Sequence, residues 1–285
     1  MLKLLKLLKL SNVKLELREV LMFAAIAALF AVALFGPAVM QPAHQHAFAD
    51  RREWGSIPNA LDVLSNLAFA AWGMAGLVNL RGLLKRGHVH TEYALAALFF
   101  TGLICTAVAS CWYHLQPDDA GLGVDRLGMA VAFASLLGLA VSGSVSHRAG
   151  VAMAAAVLVL GSSSIWLWLV SGNVLPWLVI QFGGMALVVL VALIRPQPGA
   201  LAVRWGLVVV VYAIAKLLEL GDHEIFTLTG EVVSGHSLKH LLASLVAWPI
   251  LHAVARAKDL RTESASVQSK NSGRIQSASS ETTAI

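Results

Sequence analysis

A chain of 285 residues, 58% of them hydrophobic and only 13% charged, carries about half the charge of an ordinary soluble domain, and this excludes a soluble globular protein. Two cysteines, Cys105 and Cys111, exclude a disulfide scaffold, and no CxxC or paired Cys/His spacing suggests a thiolate metal site. The net charge of +5 does not mark nucleic acid as a partner, because the basic residues gather at the ends of apolar blocks, where they report membrane orientation.

The apolar blocks are about 20 residues long, the length a bilayer core of about 30 Å demands. The fold class expected is therefore all-α, a polytopic transmembrane helical bundle. In chain order, residues 1–19 form a leucine- and lysine-rich segment that reads as a signal-peptide n-region or an amphipathic surface helix. Eight spans follow, at 20–40, 60–80, 92–115, 125–145, 149–171, 174–194, 202–220 and 235–256. The first reads as an uncleaved anchor, although Ala47-Phe48-Ala49 before Asp50 is a cleavage candidate. Short links make the spans one bundle. The stretch 257–285 is Ser-rich, carries too little apolar surface to order itself, and reads as a disordered cytoplasmic tail. Lysines and arginines cluster on alternate loops, at Arg81, Lys85 and Arg86, at Arg148, at Arg195 and Arg204, and after Arg256. That bias places both termini in the cytoplasm and the loops holding Asp118, Asp119, Asp222, Glu224 and Glu231 outside.

Ionisable groups inside spans are costly and usually functional. The second span reads PNALDVLSNLAFA, where Asp62, Ser65, Asn66 and Phe69 share one helical face. The third ends TAVASCWYHLQP, so that Thr106, Ser110 and His114 step by four. The fourth opens GVDRLGM, putting Asp125 at a helix start. The last opens SGHSLKHLLAS, with His236 and His240 again four apart. Each residue alone is more often an interhelical hydrogen-bonding group than a ligand. Alternating topology, however, puts the end of span three and the starts of spans four and eight at one membrane face.

Three imidazoles with an open fourth position make a catalytic rather than a structural Zn²⁺ site, and zinc lowers the pKa of a bound water to about 7. HSLKH lacks the glutamate of the HExxH proteases. Asp125 is then the candidate proton carrier, and Ser110 the hydrogen-bond donor to water or to a developing oxyanion. Lys216, Glu219 and His223, at i, i+3 and i+7 of span seven, read as pocket lining or, with greater weight, as an internal ion pair. Lys239 reads as snorkelling outward. Trp54, Trp166, Trp168 and Trp177 read as an aromatic belt, His44, His46, His88, His90 and His147 as solvated, and Gly183 and Gly184 as close helix contacts.

The ordered set of SxxxH, an Asp on the next helix and HxxxH in the last helix resembles the CREST superfamily of membrane hydrolases. Within it, DVLSN and GHSLKH look most like alkaline ceramidases and their bacterial relatives. The resemblance spans residues 58–256, and it implies a seven-helix hydrolase domain preceded by one extra helix at 20–40. It further implies zinc on His114, His236 and His240, assistance from Ser110 and Asp125, and a ceramide-like membrane lipid as substrate. Asp62, Ser65, Asn66, Lys216 and Glu219 would support the site or touch the substrate. The family's calcium site uses an acidic segment and a glutamate, whereas this chain reads DRREWGSIPNALD with Asn59 near that position, so calcium is doubtful. Two rival readings remain: a receptor-like, ligand-binding relative comparable to the progestin and adiponectin receptors, and an intramembrane haem carrier using histidine ligands.

Overall fold

A computed structural model of the chain describes residues 16–85 and 91–260. The basic segment 1–19, apart from its last four residues, and the tail beyond 260 lie outside the described residues, as do His88 and His90. The fold is an all-α transmembrane bundle, with seven helices among the described residues long and apolar enough to cross a membrane. Helix α1 covers Leu17–Phe35, α2 Ala60–Ser65, α3 Leu67–Lys85, α4 Thr91–Leu115, α5 Asp119–Ser144 and α6 His147–Ser171. Helix α7, Leu175–Leu178, passes through a π-helical turn at Val179–Gly183 into α8, Gly184–Leu193. Then come α9, Trp205–Leu220, α10, Asp222–Leu228, and α11, Gly235–Ser244, followed by α12 at 247–260.

Four expected boundaries are corrected, each for a local reason. The second span is broken at residue 66, because Asn66 Nδ2 at 2.7 Å and Ser65 Oγ at 3.1 Å both donate to the Asp62 carbonyl. Short polar side chains thereby compete with the helical ladder. The last span is interrupted at Leu245 and Val246, since Pro249 has no N–H and its ring crowds the carbonyl four residues back. Asp125 is not at a helix start: the Asp118 carboxylate caps α5 by accepting from Gly121 N at 2.6 Å, which leaves Asp125 nearly two turns inside. Span seven is also shorter than read. Its 16 residues make roughly 24 Å of helix, after an irregular stretch holding Pro196, Pro198 and Gly199.

Helix α5 is the most buried of the long helices and packs between α4 and α6. Small residues allow the approach: a Cβ on Gly128 would stand 2.9 Å from the Cys105 carbonyl oxygen of α4, and one on Gly150 of α6 would stand 2.7 Å from that of Gly138. The pair Gly183 and Gly184 does admit neighbours, with Leu29 of α1 and Leu137 of α5 lying where their side chains would be. Two of the four belt tryptophans are not at the lipid interface. Trp168 and Trp177 are buried, and the Arg126 guanidinium lies over them, 4.2 Å and 5.7 Å from their ring centres. A desolvated cation gains most from such a cage. Trp54 and Trp166 are exposed, as the belt reading expects.

Residues 36–59 form a strap across the face where α4 ends and α5 and α11 begin. Arg126 Nη2 holds Gln41 Oε1 at 2.9 Å, and Val39 N and Gln41 N bond Asn173 Oδ1 and Gly172 O. Farther along, His46 bonds Tyr113 and Asp119, His223 bonds the Ala47 carbonyl, and Arg52 bonds the Val232 carbonyl. His46 and His223 are therefore structural ties of the strap: His46 is half-buried with both ring nitrogens bonded, and His223, exposed, does not line the pocket.

Candidate metal centre

His114 ends α4, and His236 and His240 lie one turn apart at the start of α11. Ser234 caps that helix by accepting from Ser237 N. The three imidazoles are buried, and each offers one ring nitrogen within 4.8 Å of the others. Their ring centres are 4.7–5.0 Å apart. His114 Nε2 and His236 Nε2 stand 3.3 Å apart. Four ligands at about 2.0–2.1 Å in a tetrahedron have edges of about 3.3 Å, so this pair already has the spacing of two zinc ligands.

The tautomer of His240 follows from its neighbours. Its Nδ1 lies 2.8 Å from Ser65 Oγ, and that hydroxyl donates to the Asp62 carbonyl, so Nδ1 carries the proton and Nε2 keeps its lone pair. A histidine ligand normally has such an outer hydrogen bond fixing its free nitrogen. Asp62 secures the same helix from beside it, accepting from Ser237 Oγ at 2.6 Å and Ser234 Oγ at 3.3 Å.

Among the described residues, five buried side-chain polar atoms have no hydrogen-bond partner, and four belong to residues of this site: Asp62 Oδ2, Asn66 Oδ1, His114 Nδ1 and Asp125 Oδ1. Buried orphans are expensive and uncommon. Their concentration here, with three imidazole nitrogens within 4.8 Å of one another, fits a small cation and its water.

Beside His240 opens a largely apolar cavity with about 790 Å³ of empty space including its mouth. Ser110, Asp125, Lys216, Glu219, Lys239 and His240 form its polar end. Away from that end, Phe99 and Leu103 of α4 and Met129, Phe133 and Leu136 of α5 line it. On either helix the lining extends over 11 residue steps, or about 16 Å along the axis. Thr106, Asn66 and Phe69 line it too, so both polar stripes read from the sequence reach the site.

Lys216 and Glu219 form the expected ion pair. Lys239 departs from expectation: its ammonium points inward, 3.1 Å from Glu219 Oε1 and 3.1 Å from His236 Nε2. At i+3 from His236 it lies close enough to the histidine face to turn back, and the Glu219 carboxylate on α9 draws it there.

Four contributors carry no sequence signal of their own. Phe48 of the strap packs on His114 and His236, with ring centres 4.7 Å and 4.6 Å away. Asp222 joins strap to site, accepting from His236 N at 2.7 Å and Ala49 N at 3.0 Å. Asn59, in the left-handed region at φ 46°, donates from Nδ2 to the His114 carbonyl at 2.8 Å. Gln181 lines the cavity from within the π-helical turn, a distortion that recurs at functional sites.

No protein-family model matches this sequence, and no curated protein matches it either. The geometry thus carries the functional argument alone.

Proposed function

We propose that the protein is a membrane-embedded, zinc-dependent hydrolase that cleaves the amide bond of a ceramide-like lipid to a long-chain amine base and a fatty acid. The observation that carries this reading is a set of three buried histidines whose ring nitrogens lie within 4.8 Å of one another, one of which, His240, joins Ser110 and Asp125 at the polar end of an apolar cavity whose lining extends about 16 Å along two helices. Such a cavity suits a lipid tail, and its polar end suits a scissile bond near the headgroup.

His114, His236 and His240 would hold the metal, which when bound supplies a Lewis acid and brings the pKa of water to about 7. The chain's own groups do the rest. Asp125 takes the proton from the attacking water at its carboxylate and returns it to the amine nitrogen as the C–N bond breaks. Ser110 donates its hydroxyl proton toward the oxygen on which charge develops. Ser65 and Asp62 hold the histidine helix, Phe48 and the strap exclude bulk water, and Asn66, Lys216 and Glu219 border the space the substrate enters.

The haem reading fares worse, because three imidazoles clustered edge to face leave no flat slot between a ligand pair. In orientation, the basic-residue bias puts both termini in the cytoplasm and opens the site to the opposite face. The deciding experiment is metal analysis of detergent-purified protein with a lipid-amide hydrolysis assay on the same sample. About one zinc per chain with release of fatty acid supports the reading. Stoichiometric zinc without turnover across lipid amides replaces it with the receptor-like alternative, and absence of bound metal after zinc loading overturns both.

A further inference from the structure

An ammonium group beside a metal-ligand candidate demands an explanation. Lysine has three N–H donors and no acceptor. Lys239 directs one donor to Glu219 Oε1 and another to His236 Nε2, each at 3.1 Å. Glu219 also serves Lys216, so one carboxylate answers two ammonium groups. Asp125, the other carboxylate lining the cavity, pairs with neither lysine among the described residues. Glu219 and Asp125 together match the two ammonium groups, so a metal ion held at His236 would add positive charge that neither carboxylate offsets.

The lone pair that His236 Nε2 now presents to Lys239 is the one a metal would take. Binding there frees a Lys239 donor and sets an ammonium beside a second cation. Two cations so placed repel each other, and an anionic group set beside both relieves that repulsion. The apolar walls, Phe99, Leu103, Phe133 and Leu136 among them, suit an alkyl chain attached to that anion.

We propose that Lys239 holds the carboxylate of a long-chain fatty acid, the acyl product of the reaction, with the alkyl tail in the apolar cavity. This rests on the metal reading of the three histidines and assigns Lys239 a selectivity for anionic over neutral head groups. A charge-assisted hydrogen bond of this kind makes acid bind about tenfold or more tighter than a neutral analogue of equal chain length.

The test is calorimetric binding of palmitic acid and of methyl palmitate to zinc-loaded, detergent-purified protein. Wild type is expected to prefer the acid by about tenfold or more, Lys239→Arg to keep that preference, and Lys239→Met to lose it with zinc content unchanged. Lys239→Gln replaces Lys239→Met should the latter fail to fold. Equal affinity for acid and ester in wild type overturns the proposal, as does an acid preference that survives loss of the Lys239 charge. The readout is independent of turnover. A Lys239-dependent acid preference in a protein that cleaves no amide refutes the hydrolase reading alone, whereas amide cleavage without that preference refutes the Lys239 assignment alone.

Discussion

The Nε2 atoms of His114 and His236 stand 3.3 Å apart although 122 positions separate them in the chain. Two buried neutral imidazoles gain little from facing each other at that distance, and Phe48 covers both rings. The proposed metal, shared between them, would account for the approach. Replacing any one of His114, His236 and His240 by Ala is expected to drop zinc content to near zero and to abolish lipid-amide turnover. Elemental analysis of the purified variants checks this, and full occupancy in one variant removes that residue from the ligand set.

Ser110 and Asp125 border the cavity without belonging to the histidine cluster. Ser110→Ala and Asp125→Asn should therefore retain zinc while turnover falls by about 10² or more, the cost of losing an oxyanion donor or a proton carrier. Wild-type rates in both variants with metal intact would leave the proposed chemistry without its proton path.

The sequence made the bundle legible because lipid imposes long apolar blocks, and made the site legible because polar residues stood out inside them at helical spacing. His114, His236, His240, Ser110 and Asp125 were found that way. The breaks at residue 66 and before Pro249 were overlooked because hydrophobic periodicity runs unbroken across them. Phe48 and Asp222 escaped for another reason: they lie in or beside polar connections, Phe48 reaching the imidazoles through a loop that folds back onto His114, and Asp222 accepting from the His236 backbone rather than from its ring. Lys239 was misread because its direction is set by Glu219, a partner 20 residues away on another helix.

Ser65 fixes the free nitrogen of His240 at 2.8 Å. Ser65→Ala should weaken zinc affinity by about 10- to 100-fold, the usual cost of removing an outer partner of a histidine ligand. Ser65→Thr, which keeps the hydroxyl, should restore most of it. Competition against a chelator of known affinity measures both, and an unchanged affinity in Ser65→Ala would show that ring packing alone orients His240.

The strap carries its own titration. Burial of Asp50 alone would push its carboxyl upward, but the Arg52 side chain and backbone N–H donate to it at 2.6–3.1 Å and hold it below the ordinary value. A carboxylate lowered in the folded state stabilises it fully above the unfolded value, and that contribution is lost as pH falls through the folded value. The melting temperature of wild type should accordingly exceed that of Asp50→Asn at neutral pH, and the gap should close on acidification below the carboxylate range. A gap independent of pH would mean that the Asp50–Arg52 pair does not anchor the strap.

The last prediction concerns the side of the membrane on which this chemistry lies. The ends of α4 and the starts of α5 and α11 converge on the three histidines, so the site and the loops around Asp119 and Glu231 share one face whichever compartment it meets. Arg81 and Lys85, Arg195 and Arg204, and Arg256 and Lys258 lie toward the other, and lysine and arginine are retained on the cytoplasmic side. Asp119 and Glu231 are both exposed. Asp119→Cys and Glu231→Cys, in a background lacking Cys105 and Cys111, should therefore react with impermeant thiol reagents applied outside intact cells, and Arg86→Cys should react only after permeabilisation. Asp119→Cys also removes a contact to His46, so Glu231→Cys is the cleaner reporter. Labelling of Arg86→Cys from outside with Glu231→Cys protected would invert the topology. The lipid would then reach the cavity from the cytoplasmic leaflet, while the roles of His114, His236, His240, Ser110 and Asp125, which depend on their mutual geometry, would stand.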